Sequence, residues 1–418
     1  MKTDYDVIIV GAGIAGLTAA KILKAANKKI LLIESSDGVG GRVRTDHKDG
    51  FLLDRGFQVL LTSYPEAMEF LDYQKLNLKH FKPGALIIDN QQTYKIGDPF
   101  REPLLLLQTL FSPIGNLKDK LLLLKLKISL ASTSLKQIFE RKERTTFQYL
   151  QEYGFSEKFI EKFFRPFFSG IFLENQLETS SRMFEFLFKM FGSGSAAVPA
   201  NGMGMISNQL AEGLDKSEIL LNEKVETFDQ NTAITINGKR YSANAIIIAT
   251  TAVNIPSPYQ KNSITTPKSN TTLYFSALNK TDFIDRITLN TNSSELINNI
   301  AFMDHIAPNY APKGMSLISV SIKEIEIHIE LNLEEKVKAE LLSYYPNAKD
   351  WKHLATYRIP YALPADKHVI NDTTSDKIKI AEHYFICGDF TLNGSINAAM
   401  KSGKLAAQEV LKSNFLKS

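Results

Sequence analysis

Short apolar runs alternate with helix-like segments at both ends and in the middle of the chain. Residues 7–10 and Ile30–Ile33 are continuous apolar runs of the kind found in buried parallel strands, and residues 17–23 between them have the pattern of a helix. Two later runs, at 245–249 and 384–387, repeat the strand-like composition. The alternation predicts an α/β fold with a Rossmann-like, doubly wound parallel sheet.

Two long stretches between these runs differ in character. Residues 103–111 and 121–128 are Leu-rich and of helical length, and a hairpin is predicted around residues 89–91. Strand-like segments follow at 271–276, 317–321 and 325–329, and a helix-like segment follows at 333–345. These stretches predict a second, α+β domain with a mixed sheet and a helical part, inserted into the first domain in two pieces.

Glycines follow the first apolar run at the spacing G-x-G-x-x-G, as Gly11, Gly13 and Gly16. The first permits a tight turn, the second lets the backbone approach a pyrophosphate, and the third lets the helix pack on the strand. Free N–H groups at the helix start also favour a phosphate. Glu34 ends the second run, where a carboxylate accepts from ribose hydroxyls and disfavours the 2′-phosphate of NADP. The pattern predicts a dinucleotide site.

A second glycine-rich loop follows, with Gly40, Gly41, Arg42 and Arg44. A guanidinium group beside such a loop suits a further phosphate contact. With its motifs in this order, the sequence resembles the FAD-dependent amine oxidase superfamily, and within it the phytoene desaturase and protoporphyrinogen oxidase-like branches. The resemblance implies FAD and a GR2-type FAD-binding domain. We expect the FAD-binding domain to comprise 1–84, 196–255 and 346–418, and the substrate domain 85–195 and 256–345.

The resemblance also implies which residues contact FAD. Gly388 and Asp389 would lie at the ribityl and phosphate region, and the helix that opens at Ser395 would point its positive end at the N1/C2=O edge of the flavin. The implied set is Gly11, Gly13, Ile14, Ala15, Gly16, Glu34, Ser35, Gly41, Arg42, Val43, Gly56, Phe57, Val225, Thr250, Gly388, Asp389, Ser395 and Ile396. Gln58, Tyr357 and Tyr361 are candidates for the substrate cavity. No residue is identified as a catalytic acid or base.

Composition and charge narrow the classes of function. The chain of 418 residues is 44% apolar and 22% charged with a net charge of +4, so we expect no nucleic-acid partner. Seven scattered histidines and one cysteine predict no metal site and no internal disulfide. No apolar run approaches the length of a membrane span and no signal-peptide pattern opens the chain, so we expect a cytoplasmic protein.

Positive charge is concentrated in the most Leu-rich part of the chain. Residues 101–145 carry nine Lys and Arg against four Asp and Glu, whereas the remainder carries 40 against 41. Basic, apolar helices can dock on an anionic membrane surface. Two interpretations stay open for this segment: peripheral contact with the cytoplasmic face of a membrane, or an ordinary helical subdomain whose lysines face water.

Aromatic residues are dense at 163–172 and 183–191, which suits either a protein core or a cavity for a flat or elongated apolar ligand. The superfamily's amine oxidases carry an aromatic residue where Ser395 stands and a lysine in a central strand, and residues 271–276 have no lysine. The resemblance therefore implies hydride transfer to flavin N5 from a bulky apolar substrate, polyene-like, lipid-like or porphyrinogen-like. A reduced-flavin isomerase, a small-amine oxidase and a non-catalytic FAD-binding protein are the alternatives.

Overall fold

The computed structural model describes residues 3–89, 92–97, 113–259, 266–278, 284–323, 332–365 and 368–413. The strands are Tyr5–Val10, Ile30–Ile33, Thr45–Lys48, Phe51–Asp54, Leu60–Leu61, Lys79–His80, Ala85–Asp89, Gln92–Ile96, Ala196–Val198, Ile219–Leu220, Val225–Asp229, Thr232–Thr235, Arg240–Ile248, Lys268–Leu278, Ile287–Asn290, Ile297–Phe302, Met315–Ile322, Lys352–Leu363, Lys379–Ala381 and Tyr384–Ile386. The α-helices are Ile14–Ala25, Pro65–Phe70, Tyr73–Leu76, Leu117–Ser132, Leu135–Glu140, Thr146–Tyr153, Glu157–Phe159, Arg165–Phe172, Ser181–Ser193, Gly204–Ala211, Met303–Ile306, Leu333–Tyr344, Ser375–Ile378 and Ile396–Lys412. Short 3₁₀ helices lie at Lys216–Glu218, Ala252–Asn254, Pro308–Tyr310, Pro346–Asp350 and Asp389–Thr391, and Ile160–Phe164 forms a π-helical turn.

An eight-stranded sheet carries the glycine motif at the end of its first strand. Tyr5–Val10 lies between Ile30–Ile33 and Arg240–Ile248 and pairs with both in parallel. Tyr384–Ile386 extends the sheet beyond Arg240–Ile248, again in parallel. Residues 7–9 are fully buried, as expected for a strand covered on both faces. The predicted Rossmann-like parallel core is therefore confirmed.

The first and last helices pack tightly against each other over this sheet. A Cβ atom on Gly403 would lie only 2.1 Å from the carbonyl oxygen of Ala15, so the contact between Ile14–Ala25 and Ile396–Lys412 depends on the missing side chain. Helices near the two ends of the chain, which are far apart in sequence, thus contact each other. Both glycine loops follow the carboxyl ends of the interior parallel strands Tyr5–Val10 and Ile30–Ile33.

A seven-stranded mixed sheet forms the second domain, as the sequence predicts. Its central strands are antiparallel, and Ile287–Asn290 pairs in parallel with Ala85–Asp89, the first strand of the predicted hairpin. The edge strand Lys352–Leu363 pairs with Lys268–Leu278. This strand falls within residues 346–418, which the sequence assigns to the FAD-binding domain, but it pairs with the second sheet. Pairing between strands about eighty residues apart leaves no local pattern to predict it from.

Helices pack on the second sheet: Arg165–Phe172 contacts the strand Ile297–Phe302, and Leu333–Tyr344 buries its apolar residues against other strand positions of the same sheet. The helix predicted at 121–128 is part of Leu117–Ser132, and the two aromatic segments lie in Arg165–Phe172 and Ser181–Ser193. Leu117–Ser132 begins with an Asn116–Asp119 capping box and packs on Ser181–Ser193. The helix expected at 103–111 and the strand expected at 325–329 lie outside the described residues. Within the described segments, no helix has the length and apolar character needed to cross a bilayer.

Candidate functional site

The three motif glycines differ in what surrounds them. Gly11 has a φ of +106°, and a Cβ atom there would lie 2.8 Å from the carbonyl oxygen of Ala249. A Cβ atom on Gly16 would lie 2.0 Å from the carbonyl oxygen of Gly11, so a side chain would push the helix off the strand. A Cβ atom on Gly13 would meet no atom within 4 Å. Gly13 therefore leaves open space at the start of the helix Ile14–Ala25, which suits a bound ligand.

The second glycine loop lies directly against the first. The Gly40 N–H donates to the carbonyl oxygen of Ala12 over 2.7 Å, and Gly40 and Gly41 have φ values of +110° and +58°. A Cβ atom on Gly41 would lie 3.3 Å from the Cα atom of Gly13. Two stretches of bare backbone thus line one cavity, which allows a pyrophosphate to approach both closely.

Glu34 is fixed by the backbone at the edge of the same cavity. Its Oε2 atom accepts from the Ala12 N–H over 2.8 Å, and its Oε1 atom accepts from the Ser36 N–H over 2.8 Å. The residue is 8% exposed and lines the cavity. Because a carboxylate has about four acceptor positions, capacity remains for ribose hydroxyls.

Arg42 joins three segments around the cavity. Its Nη2 atom donates to Asp389 Oδ1 over 2.8 Å, and its Nη1 atom donates to the carbonyl oxygen of Ala362 over 2.9 Å. Its guanidinium also lies 5.3 Å from the centre of the Tyr361 ring. Tyr361 thus packs beside Arg42 and is not among the residues that line the cavity, so the structure does not bring this substrate candidate to the wall.

The last helix begins at the cavity. Ser395 caps it by accepting from the Ala398 N–H over 3.0 Å, and the Ser395 hydroxyl donates to Asn393 Oδ1 over 2.7 Å. Ser395 and Ile396 both line the cavity. The 17-residue helix Ile396–Lys412 thus directs its positive dipole end there, which stabilises negative charge.

Nearly all predicted site residues lie together around this one cavity. Those that line it are Gly11, Gly13, Ile14, Ala15, Glu34, Ser35, Gly41, Arg42, Val43, Gly56, Phe57, Gln58, Val225, Thr250, Gly388, Asp389, Ser395 and Ile396. Gly16 does not line it and instead lies against Gly11 and Ala249.

Two of the three substrate candidates are held by other parts of the protein. The Tyr357 hydroxyl donates to Asp46 Oδ2 over 2.8 Å, and Tyr357 is not among the residues that line the cavity. Gln58 does line the cavity, but its Nε2 atom donates to the carbonyl oxygens of Arg42 and Arg55 over 2.8 and 3.0 Å. The Gln58 amide nitrogen thus holds the loop in place.

The cavity has a volume of about 1120 Å³, somewhat more than the ~300–1,000 Å³ of ordinary ligand pockets. We distinguish two parts by their walls. The cofactor arm is walled by the two glycine loops, residues 55–58, 223–225, 249–254 and 388–396. The apolar chamber is walled by Leu117–Ser132, Arg165–Phe172, Ser181–Ser193, residues 81–84 and strands of the seven-stranded sheet. The open glycine cradle and the polar groups of the arm fit a flavin dinucleotide, and the chamber lies beyond it.

The aromatic segments divide between core and chamber. Phe164, Phe168 and Phe184 are buried together, and the ring centres of Phe168 and Phe184 lie 4.8 Å apart. Other members of the same segments line the chamber, and these are Phe163, Phe167, Phe188 and Phe191. The aromatic segments therefore contribute both to the core and to the cavity wall. The wall residues recur three or four positions apart, which is the helical period.

Asn299 is a chamber residue that sequence reasoning missed. It lies in the strand Ile297–Phe302, is 3% exposed, and its Oδ1 atom has no hydrogen-bond partner in the described structure. Its Nδ2 atom donates to Asn298 Oδ1 over 2.8 Å. An asparagine in a predicted strand does not by itself indicate a cavity residue, because the segments that form the chamber are far apart in the sequence.

Asp54 lies behind the cavity in a buried polar cluster. Its carboxylate accepts from the Tyr310 hydroxyl over 2.7 Å, from the Met203 N–H over 2.9 Å and from the Thr45 hydroxyl. The Tyr274 hydroxyl donates to its carbonyl oxygen over 2.8 Å. Burial raises the pKa of the Asp54 carboxyl to about 6, although the hydrogen bonds that it accepts act to lower it. The cluster ties the loop before Gly56 to the second sheet.

Among the described residues, no group of His, Cys, Asp and Glu side chains is arranged to hold a metal ion. The strand, the two glycine loops, the fixed carboxylate and the start of the last helix together form a dinucleotide-binding site. The family model for flavin-containing amine oxidoreductases matches residues 14–411, and the chain belongs to that family. This confirms the superfamily that the motifs indicate, FAD as the cofactor, and the class of FAD-dependent oxidoreductase.

Individual relatives match the chain in part or share its fold. The coproporphyrinogen III oxidase of Propionibacterium freudenreichii subsp. freudenreichii is 35% identical over 78 residues, which span 19% of this chain and only 15% of that protein. The structure of a putative protoporphyrinogen oxidase from Exiguobacterium sp. 255-15 has a TM-score of 0.71 at 18% identity and covers 98% of this chain and 99% of its own. An oxidoreductase structure from Methanosarcina mazei has a TM-score of 0.74 at 16% identity, over 96% and 100% of the two chains. At these identities the structures show a shared fold.

Proposed function

We propose that the protein dehydrogenates a bulky, largely apolar substrate, polyene-like, lipid-like or porphyrinogen-like, with FAD as the acceptor. The observation that carries the proposal is the apolar chamber, which continues from the cofactor arm and is walled by Phe163, Phe167, Phe188 and Phe191. Such a wall suits a flat or elongated apolar body.

The residues of the chain supply binding, orientation and exclusion of water. FAD, when bound, supplies a hydride acceptor at flavin N5. Gly13, Gly41 and Arg42 would hold its phosphates and Glu34 its ribose, because these groups line the cofactor arm. The N terminus of Ile396–Lys412 favours negative charge at the end of the arm. The phenylalanines of the chamber keep water from the substrate.

Features of the site favour this substrate class over a small amine. Ser395 stands where amine oxidases of the superfamily carry an aromatic wall residue. Lys268, in the strand Lys268–Leu278, donates to the Thr179 hydroxyl over 2.6 Å and does not line the cavity. These residues therefore do not supply the aromatic wall and the lysine that the amine oxidases of the superfamily carry.

An anaerobic absorbance titration tests the proposal. The FAD-loaded protein is mixed with a polyene, a porphyrinogen and a small amine in turn, and the visible flavin band is recorded. Bleaching by the polyene or the porphyrinogen is the expected result. Bleaching by the amine alone would overturn the choice of substrate class. Rearrangement of a polyene only after chemical reduction of the flavin would replace the proposal by a reduced-flavin isomerase.

We also propose that the protein contacts the cytoplasmic face of a membrane through the helix Leu117–Ser132. Leu117, Leu121 and Ile128 are 62%, 58% and 61% exposed and lie on one face of the helix. The exposed Lys118 and Lys125 flank them. Leu117 and Leu121 also line the chamber, so they form its rim. Docking would place the rim against the lipid, from which an apolar substrate can enter.

Liposome sedimentation tests the membrane contact. Binding should need anionic lipid, weaken as salt rises, and fall in a Leu117→Ser/Leu121→Ser variant. Leu342→Ser is the matched control, since Leu342 is 40% exposed on the distant helix Leu333–Tyr344. Binding that is absent, or equal in both variants, would remove this proposal.

A further inference from the structure

One polar side chain in the wall of the apolar chamber has an atom without a hydrogen-bond partner. Asn299 is 3% exposed, and its Oδ1 atom accepts no hydrogen bond from the residues that the structure describes. Its cross-strand neighbour Leu289 also lines the chamber, whereas the next residue, Ile300, packs in the core on the opposite face of the sheet. The Asn299 side chain is therefore on the chamber face.

A short relay of amide groups fixes which atom of Asn299 is left over. The Asn298 Nδ2 atom donates to the carbonyl oxygen of Pro166 over 3.3 Å, and that oxygen can only accept. Asn298 therefore turns its Oδ1 atom to Asn299, whose Nδ2 atom donates to it over 2.8 Å. The atom of Asn299 that remains is its carbonyl oxygen, so the chamber wall offers a hydrogen-bond acceptor.

The helix Arg165–Phe172 packs on this relay at a glycine. Gly170 lines the chamber, and a Cβ atom there would lie 2.4 Å from Asn298 Oδ1 and 3.0 Å from Asn299 Nδ2. A side chain at this position would displace one amide or the other. The close approach of the helix thus holds both amides in their orientation.

Resting on the proposed function, we propose that Asn299 determines specificity by accepting a hydrogen bond from an N–H or O–H group of the substrate. A buried carbonyl oxygen without a partner is unfavourable, and nearly all such groups in proteins are paired. A substrate that donates to Asn299 Oδ1 removes this penalty, whereas a hydrocarbon of the same shape leaves the oxygen unpaired. The substrate is then an apolar body with a donor built into it, as in a ring N–H or a hydroxylated chain.

Probes of one shape that differ in a single group test the inference. Carbazole, fluorene and dibenzofuran are flat tricyclic compounds that carry N–H, CH₂ and an ether oxygen at the same position. Retinol and retinyl methyl ether form the equivalent pair for an elongated body. Isothermal titration of the FAD-loaded protein should show at least one donor, carbazole or retinol, binding about tenfold more tightly than its matched compounds, because one hydrogen bond contributes about that much.

The pattern of preferences identifies the donor or refutes it. Preference for carbazole alone indicates a ring N–H, and preference for retinol alone indicates a hydroxylated chain. Equal affinities within both sets would overturn the inference. Tighter binding of dibenzofuran than of carbazole would also overturn it, because the wall would then act as a donor.

Two variants of the second sheet separate the chamber wall from the core. Asn299→Leu should bring the ratio of affinities for donor and matched compound close to one. Thr288→Val is the matched control and should leave the ratio unchanged, because Thr288 is buried in the adjacent strand Ile287–Asn290 but does not line the chamber. A ratio that survives in Asn299→Leu, or is lost equally in both variants, would overturn the inference.

The FAD content of each variant shows that it is folded. Asn298→Leu/Asn299→Leu replaces the single variant if that one does not fold, because the double change leaves no Asn298 oxygen without its donor. The ranking of the probes in the native protein decides the inference even if neither variant folds.

Failure of the proposed function would appear in a different measurement. A donor preference combined with a flavin that no compound reduces would overturn the dehydrogenase proposal and leave the role of Asn299 standing. Flavin reduction by a bulky apolar compound, with equal affinities within both probe sets, would overturn the role of Asn299 alone.

Discussion

Arg42 Nη2 donates to Asp389 Oδ1 over 2.8 Å, although the two residues are 347 positions apart. The Asp389 side chain is only 6% exposed, so the ion pair is shielded from water on that side. Because Arg42 also donates to the carbonyl oxygen of Ala362, it ties both ends of the FAD-binding domain to the edge strand of the second sheet. The pair thus fixes the shape of the cofactor arm.

A double-mutant cycle on this pair should reveal coupling. Arg42→Gln and Asp389→Asn should each lower the affinity for FAD. The double variant should lose less binding free energy than the sum of the two single losses, by on the order of 1 kcal/mol. Isothermal titration of the apoprotein with FAD measures this. Asp37→Asn is the control, because Asp37 pairs with Arg44 in the same loop but is 73% exposed. Additive losses at Arg42 and Asp389 would contradict the coupling.

Substitution by valine should abolish FAD binding at Gly13 and folding at Gly16. Gly13 has an extended conformation that any residue adopts, and its Cβ position is open, so Gly13→Val should fold but lose FAD. Gly16→Val would place its Cβ atom 2.0 Å from the Gly11 carbonyl oxygen and should yield little folded protein. Flavin absorbance and the thermal unfolding of the apoproteins distinguish the two. A yellow, FAD-loaded Gly13→Val protein would refute the phosphate-binding role of this loop.

The buried Asp54 carboxyl should make stability depend on pH. Its pKa is about 6 in the folded protein against 3.8 ordinarily, so the folded state binds the proton more tightly. Protonation of Asp54 therefore adds up to about 3 kcal/mol to the free energy of unfolding. This contribution is fully present below pH ~4 and is lost as pH rises through 6. Chemical unfolding at pH 5 and pH 7.5 tests it. The stability of the native protein relative to Asp54→Asn should be greater at pH 5, and a difference independent of pH would contradict this.

Two adjacent phenylalanines should separate stability from substrate binding. Phe164 is fully buried, and Phe164→Ala should cost about 3–5 kcal/mol of unfolding free energy. Phe163 lines the chamber, and Phe163→Ala should cost clearly less but weaken binding of the substrate. Chemical denaturation and the half-saturation of flavin reduction measure the two effects. Equal stability losses would show that the chamber wall is ordinary core.

Local patterns in the sequence predicted much of the fold and of the cofactor arm. The G-x-G-x-x-G spacing and the position of Glu34 depend on neighbouring residues, and the structure places them as expected, with only Gly16 outside the wall. The substrate domain was harder, because its cavity is formed by segments distant in sequence. Tyr357 and Tyr361 look like wall residues in the sequence, but Asp46 and Arg42 hold them elsewhere.

The rim of the chamber could be predicted only in part. Leu-rich composition and basic charge indicated that residues 101–145 are unusual. Which lysines face the chamber depends on the packing of Leu117–Ser132 against Ser181–Ser193, which no local pattern encodes. Asn299 escaped notice for the same reason.

Filling the chamber provides the most direct test of the central claim, that the substrate reaches the flavin through it. Ile171 lines the chamber, and Ile171→Trp should keep full FAD content while its flavin is no longer bleached under anaerobic conditions by the bulky compound that bleaches the native protein. Ile171→Leu, which conserves volume, should behave like the native protein. Bleaching of Ile171→Trp at the native rate and concentration dependence would contradict the account, because the substrate would then approach the flavin by another route.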